Sequence, residues 1–319
     1  MEKRNLGRSD VQITPIIMGT WQAGKKMWVG IDDNEIAGAI RAAFEAGITT
    51  FDTAEEYGWG HSEQILGKAL APFRKETVIA TKVFANHLKY DQVMGSCHRS
   101  LNRLQTDTID IYQIHWPSGV WGTKAVPIEE TMRAMNDLKK QGKIRAVGVS
   151  NFSRKQLEEA CQYGRIDSLQ PPYSLFWRQV ESDALPFCLE NDIRVLSYSS
   201  MSQGILTGKF KPGHQFAKGD HRAKNRLFQK EHFERVQAAL ERLRPIAERR
   251  GITLGQLALA WVIAQPGTVA IAGARNAGQA VQNAGAADVR LSREDLEEME
   301  TISRSVTDHL DDNPVLWAF

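Results

Sequence analysis

A closed (β/α)8 barrel of the TIM type is the fold class predicted by this sequence, and three observations carry it. Eight short β-rich runs recur along the chain, most of them separated by helix-sized amphipathic segments. Polar residues collect where those runs end. The length, 319 residues, suits one such unit (1–319) with room for additions.

The stretch from Arg4 to Pro15 reads as an opening β-hairpin that could plug one end of a barrel. The first run, Ile16–Met18, is followed by helical spacing over Asn34–Ala46, and Gly47 stands where a left-handed C-cap is wanted. Thr49–Asp52 leads to Ser62–Ala71, and Val78–Thr81 leads to Asp91–Leu104. Thr108–Ile114 precedes the helix Ile128–Gln141, which stops at Gly142. Ile144–Val149 precedes Arg154–Gln162, and Ser168–Gln170 precedes Asp183–Glu190.

The rhythm breaks after the seventh run, Ile193–Ser197. The segment Gly204 to Phe228 is rich in Gly, Lys, Arg and His, too polar for core and long for a βα connection, as functional loops often are. Another helical stretch ends at Gly251 before the eighth run, Thr268–Ile271. The tail from Thr307 to Phe319 finishes in apolar residues, which are expected to dock, closure over a site being one outcome.

Hydrophobic content of 42% with 24% charged residues fits a soluble globular protein with a sizeable core. A formal net charge of +2 argues against a strongly basic nucleic-acid surface. No apolar run approaches the ~20 residues of a membrane helix, and Met1-Glu2-Lys3-Arg4-Asn5 lacks the apolar core of a secretory signal. Cys97, Cys161 and Cys188 are odd in number, scattered, and inside predicted helices, so buried free thiols are expected. No Cys or His pair has metal-site spacing, and no metal is expected. A reducing, cytoplasmic compartment fits best; these features set no oligomeric state.

Catalytic groups in (β/α) barrels sit at the C-terminal ends of strands. Here the second run ends at Asp52, with Tyr57 in the following loop, the third at Lys82 and the fourth at His115. The fifth ends at Ser150-Asn151, the sixth at Gln170 and the seventh at Tyr198-Ser199, and Arg275 follows the eighth. A free phenol with a pKa near ~10 is a poor acid at neutrality. A neighbouring ammonium lowers that value, so Lys82 would activate Tyr57, and Asp52 would keep Lys82 charged. Tyr57 could then protonate a carbonyl oxygen as hydride reaches its carbon, with His115 orienting that oxygen. Singly, each residue has a plainer explanation: a turn cap, a loop aromatic, a polar strand end, a satisfied core histidine. Their ordered occurrence on successive strand ends is what favours a site.

Phe51-Asp52-Thr53-Ala54-Glu55-Glu56-Tyr57-Gly58, with Ser62-Glu63 and Leu66-Gly67, resembles the first signature of the aldo-keto reductases. Thr81-Lys82, Ile114-His115-Trp116-Pro117 and Gly148-Val149-Ser150-Asn151-Phe152 resemble further family runs, and the likeness extends from Leu6-Gly7 to the helix after Arg275. The resemblance implies a (β/α)8 barrel that binds NADPH or, more weakly, NADH without a Rossmann domain. It implies the catalytic tetrad Asp52, Tyr57, Lys82 and His115. Gly19, Thr20 and Trp21 match a first-strand contact with nicotinamide and substrate; Ser150, Asn151 and Gln170 match carboxamide-binding positions; Tyr198 matches the aromatic that stacks on the ring.

Where the family often has Ser-Pro-Leu, this chain reads Ser199-Ser200-Met201-Ser202-Gln203, the stretch expected near the pyrophosphate. Leu206, Lys209 and Arg222 lie in the polar insertion, which resembles the cofactor-covering loop of the potassium-channel β-subunit-like branch. Gly273-Ala274-Arg275, with Gln279, Gln282 and Asn283, resembles the adenosine-phosphate motif, and an arginine there suits a 2′-phosphate. The aldose-reductase-like branch differs at Gly273 and Gln279. Gly58-Trp59-Gly60 is not a dinucleotide fingerprint, because Glu63 takes the third glycine's place, and Gly204 to Gly208-Lys209 is one residue short of a phosphate loop.

Trp21, Trp28, Trp59, Trp116, Trp121 and Trp177 follow strand ends, while Trp261 lies in a helix. Several of them, with Tyr57 and His115, predict an aromatic substrate mouth for a small carbonyl compound or a sugar. The expected reaction is NADPH-dependent reduction of aldehydes and ketones. The alternatives are NAD(P)+-dependent oxidation of an aldose or polyol, and a regulatory subunit with little turnover; His115 counts against the last.

Overall fold

The computed structural model describes residues 1–313 and Val315. The tail expectation at Pro314 and from Leu316 to Phe319 lies outside the described residues. The chain opens with an antiparallel hairpin, β1 (Arg4–Asn5) and β2 (Gln12–Ile13). Eight parallel strands then close into a barrel: β3 (Ile16–Gly19), β4 (Thr50–Asp52), β5 (Val78–Val83), β6 (Ile109–Ile114), β7 (Ile144–Ser150), β8 (Ser168–Gln170), β9 (Arg194–Ser197) and β10 (Thr268–Gly273). Each strand pairs with the next in sequence, and β10 returns to β3 through Ala270 opposite Ile16 and Gly273 opposite Gly19.

Helices follow strands in the order the periodicity predicts: α1 (Asp33–Glu45), α2 (His61–Leu70), α3 (Tyr90–Leu104), α4 (Ile128–Lys140), α5 (Arg154–Tyr163) and α6 (Ala184–Glu190). α7 (Lys230–Arg249), α8 (Leu254–Ala264), α9 (Ala277–Gly285) and α10 (Arg293–Thr307) complete the set. Local chemistry sets their ends. The Asp32 carboxylate accepts the Asn34 and Glu35 amides at the start of α1, and Ser153, Thr253 and Ser292 open α5, α8 and α10 with capping boxes. Gly47 and Gly142, just past α1 and α4, have φ of 90° and 70°, the left-handed exit expected of them.

The barrel carries two apolar layers. Outside, the helices pack on the strands. Inside, the hairpin residues Leu6, Val11 and Ile13 meet Ile17, Ile111, Leu196 and Val269 in a separate cluster. The hairpin therefore seals the end where the strands begin, as its sequence suggests, and Arg4 fastens it by donating to the Thr268 carbonyl at 2.6 Å. Polar groups are not confined to the other rim. Asp110 near the start of β6 binds Arg74 and Arg145, and Asp167 before β8 binds Arg165 and the Val147 amide. These carboxylates are matched by arginines and amides, which is how buried charge is ordinarily accommodated.

The insertion 204–228 departs from its polar reading. Ile205, Leu206, Phe210 and Leu227 are buried, and Phe210, Phe216 and Phe228 pack ring to ring at 4.7–5.5 Å. Its apolar residues extend the main core of the barrel. Cys97 and Cys188 are buried and Cys161 half-buried, all as free thiols. No helix among the described residues is long and apolar enough to cross a membrane, and no cluster of His, Cys, Asp or Glu among them could hold a metal ion.

Candidate active site

A cleft of ≈ 1150 Å³ opens at the rim where the strands end. Asp52 closes β4 and Lys82 lies on β5; both are buried, Lys82 completely. Lys82 Nζ donates to Asp52 Oδ1 at 2.6 Å and to the Thr53 carbonyl at 2.7 Å, and stands 3.4 Å from Tyr57 Oη. The second Asp52 oxygen accepts the Gln170 amide at 2.9 Å and the Gln113 amide at 3.4 Å. Tyr57 reaches this cluster because the chain around it packs tightly. A β-carbon on Gly24 would come within 2.6 Å of the Tyr57 backbone, and Gly58, with φ 64°, turns the chain away.

His115 follows β6, its amide donating to the Val83 carbonyl at 2.9 Å and its own carbonyl accepting Asn151 Nδ2 at 3.0 Å. Its ring stands edge-on to Tyr57, centroids 5.6 Å apart. Asp52, Tyr57, Lys82 and His115 thus converge as the strand order predicts.

Charge balance modifies the expected chemistry. Burial holds the Tyr57 phenol well above its ordinary 10, and the Asp52 charge pushes the same way. Burial and Asp52 thus oppose the lowering expected from Lys82. Burial also lowers the Lys82 ammonium, while Asp52 opposes that loss. His115 is held well below 6.5 by burial and by the Lys82 charge, so its ring is neutral. The site at neutral pH presents a protonated phenol and a neutral imidazole.

Ser150, Asn151, Gln170 and Tyr198 gather beside the tetrad. Ser150 Oγ donates to the Gln170 carbonyl at 2.7 Å, and Tyr198 Oη donates to Asn151 Oδ1 at 2.9 Å. Asn151 and Ser199 have φ of 62° and 53°, left-handed conformations that non-glycine residues adopt rarely and that cluster at functional sites. Gly19, Trp21, Trp116, Ser199, Ser200, Met201, Gln203 and Gly273 also line the cleft.

Five expected positions do not line it, the fully buried Lys82 among them. Thr20 lies behind the wall, donating to the Asp52 carbonyl at 2.9 Å. Ser202 turns to Ser174 at 2.8 Å, and Leu206 joins the apolar core. Trp59 is 72% exposed, with Lys26 over its ring at 4.7 Å, and stands outside the cavity.

At the far end Lys209, Arg222, Arg275, Gln279, Gln282 and Asn283 line the cleft together. Arg222 is not the solvated loop cation that composition alone would allow. It is buried, bidentate on Asp220 at 2.9 and 2.5 Å, and lies over Trp28 and Phe216 at 5.1 Å each. Burial and repulsion by Arg222 pull Lys209 and Arg275 below their ordinary values, with Asp220 opposing. Three cations around one carboxylate leave an excess of positive charge.

His221, also on the insertion, sits between Trp21 and Trp28 at 4.5 and 4.7 Å, and its amide donates to the Met27 carbonyl at 3.2 Å. The insertion therefore bridges the cleft to the turn after β3. Gln113, Phe84, Asp220 and His221 escaped sequence reasoning, although Phe84 stands two residues past the flagged strand end at Lys82 and the last two lie in the flagged insertion.

Buried polar atoms test whether a nucleotide fits. Arg275 Nη2, Gln203 Nε2 and Gln22 Oε1 are buried on cleft residues without a hydrogen-bond partner among the described residues. Such groups are costly unless something satisfies them. Cations and unmet donors at one end, and aromatic rings and a protonated phenol at the other, suit a phosphate-bearing redox nucleotide.

Comparison with known proteins agrees. "Aldo-keto reductase YhdN" of Bacillus subtilis (strain 168) is 38% identical, over 95% of this chain and 93% of its own. The "NADH-specific methylglyoxal reductase" of Escherichia coli (strain K12) is 34% identical over 96% of this chain and 99% of its own. Among solved structures, the glycerol dehydrogenase AKR11B4 from Gluconobacter oxydans superposes with a TM-score of 0.88, at 35% identity, covering 99% of this chain and 98% of its own. An aldo/keto reductase from Klebsiella pneumoniae, solved with NADP and acetate, has a TM-score of 0.77 at 30% identity, with both chains covered in full (100%). The profile of the aldo/keto reductase family matches residues 15–304, and with this barrel, this cleft and these relatives the chain belongs to that family.

Proposed function

We propose that this protein is an NADPH-dependent reductase of small aldehydes and ketones, with Tyr57 as proton donor. The observation that carries the proposal is the continuous link from Asp52 through the fully buried Lys82 to Tyr57 Oη at the cleft floor. When bound, the reduced nicotinamide supplies hydride to the carbonyl carbon. Ser150, Asn151, Gln170 and Tyr198 would hold that ring at the inner end of the cleft. The protonated Tyr57 delivers its proton to the carbonyl oxygen, and Lys82 compensates the phenolate left behind. His115, neutral, donates a hydrogen bond to the same oxygen and orients it. Activity is tested by mixing the protein with NADPH and a panel of small aldehydes, methylglyoxal included, and following loss of the reduced-cofactor absorbance. Absence of turnover across the panel would overturn the reading.

Preference for NADPH rests on Arg275, whose Nη2 is buried and unmatched beside Lys209 and Arg222. A charge-assisted bond to a 2′-phosphate contributes about 1.5–3 kcal/mol, roughly ten- to a hundredfold in affinity. Arg275→Ala is expected to raise the Kd for NADPH by about that factor and to change the Kd for NADH little, measured by fluorescence titration. Equal weakening of both would remove the phosphate role. The NADH-specific relative makes this comparison the decisive one.

Alcohol oxidation by the same groups run backwards is the second reading, favoured by the structural likeness to a glycerol dehydrogenase. Oxidation needs Tyr57 as phenolate, and burial opposes that form. A raised pKa means that the fraction of base grows as pH climbs toward and past about 10. Oxidation of glycerol is therefore expected to keep accelerating through the alkaline range while reduction holds level. An oxidation rate already at its plateau near about pH 8 would contradict a phenol held high.

A further inference from the structure

Glu55 stands two positions before Tyr57 in the sequence and has no part in the proton path above. It is nevertheless buried, 6% exposed, although a loop carboxylate beside the mouth would ordinarily face water. Its Oε1 accepts the Phe84 amide at 2.9 Å and contacts His87 Nδ1 at 3.0 Å, and its Oε2 lies 3.9 Å from Arg99 on α3. The Glu55 amide donates to the Lys82 carbonyl at 3.3 Å. One side chain thus ties the loop after β4 to the first residue after β5.

Phe84 is the inner half of an aromatic wall. Its ring stands edge-on to His115, centroids 5.6 Å apart, and lies nearly parallel to Trp121 at 5.5 Å and 7°. Trp121 meets Trp116 edge-on at 4.6 Å and is 44% exposed at the rim. It has φ 50° between Gly119 and Gly122, which also have positive φ. The Phe84 ring is one of the contacts that place Trp121 on this loop. That ring is set by the backbone that Glu55 holds.

We propose that Glu55 is a positioning residue that determines which carbonyl compounds bind well, by fixing the Phe84–Trp121 wall. The inference rests on the reductase reading of the cleft. A short carbonyl compound fills only the space beside Tyr57 and His115, whereas a bulky aryl aldehyde extends along the wall. Disturbing Glu55 therefore penalises the second and spares the first.

The test is a comparison of KM and kcat for methylglyoxal and naphthaldehyde, with NADPH, in the parent, Glu55→Ala, Glu55→Asp and Glu55→Gln. Misplacing one aromatic contact is expected to raise the naphthaldehyde KM about three- to tenfold in Glu55→Ala, with the methylglyoxal KM and both kcat values nearly unchanged. Glu55→Gln keeps an oxygen for the Phe84 amide and is expected to restore the parent value. Glu55→Asp keeps the charge but withdraws it by one methylene; it is expected to show the same split, and it decides the matter if the alanine variant does not accumulate as folded protein. Equal changes for the two substrates, no change for either, or a glutamine variant as impaired as alanine would overturn the proposal. Methylglyoxal turnover by the parent reports on the reductase reading separately, so failure of that reading and failure of the split are distinguishable.

Discussion

Tyr57→Phe is expected to lower carbonyl reduction by about a thousandfold while leaving the Kd for NADPH unchanged, because general-acid catalysis by a positioned side chain is typically worth 10²–10⁴. The substitution removes only the hydroxyl. The ring keeps its place edge-on to His115 and tilted against Trp21 at 6.2 Å. Lys82 loses a neighbour at 3.4 Å but keeps its two shorter bonds to Asp52 and Thr53. The fold and the buried ion pair should therefore survive, and the loss should fall on kcat. Steady-state rates with a small aldehyde, together with cofactor titration of the same preparation, check both halves. Comparable rates in parent and variant would remove Tyr57 as the donor and leave His115 as the next candidate, though its neutral ring makes it the weaker acid.

Lys82→Met carries the second large effect, and here stability falls along with activity. Lys82 and Asp52 form a buried ion pair at 2.6 Å, with Asp52 3% exposed. Removing one partner of such a pair strands the other charge, at a cost of about 3–5 kcal/mol. The Gln170 and Gln113 amides reach only the second Asp52 oxygen, so they cannot replace the ammonium. Lys82→Met is expected to lower the denaturation midpoint sharply and to abolish measurable reduction. Adding Asp52→Asn removes the stranded charge, and the double variant is expected to recover most of the stability and none of the activity. A double variant as unstable as the single one would mean that the pair's worth lies in packing, not in charge. Urea titration of the three proteins separates the two accounts.

The architecture was readable because strand and helix leave different spacings of apolar residues, and because the tetrad sits on successive strand ends whose order covalent connectivity dictates. Helix limits shifted by a residue or two where caps decided them, as at Asp32 before α1. Side-chain direction was harder. Thr20, Ser202 and Leu206 are neighbours in sequence of cleft residues, yet they turn to Asp52, to Ser174 and into the core. Gln113 was hidden within a fully buried strand, where nothing local shows that its amide reaches Asp52. Arg222 illustrates the tertiary contribution most plainly. A basic loop residue is ordinarily solvated, but the insertion's own aromatic residues and Asp220 provide an interior that composition alone does not reveal.

The hairpin at the barrel's base has a consequence for traffic. With Leu6, Val11 and Ile13 filling the end where the strands begin, the cleft among the described residues opens at the rim where the strands end. Lys82 has no exposed surface and stands 3.4 Å from Tyr57 Oη. If Tyr57 gives up its proton as proposed, the phenolate would be recharged through the same opening that would admit the carbonyl compound. On that proposal, the departure of product and the return of the proton would be successive uses of one passage.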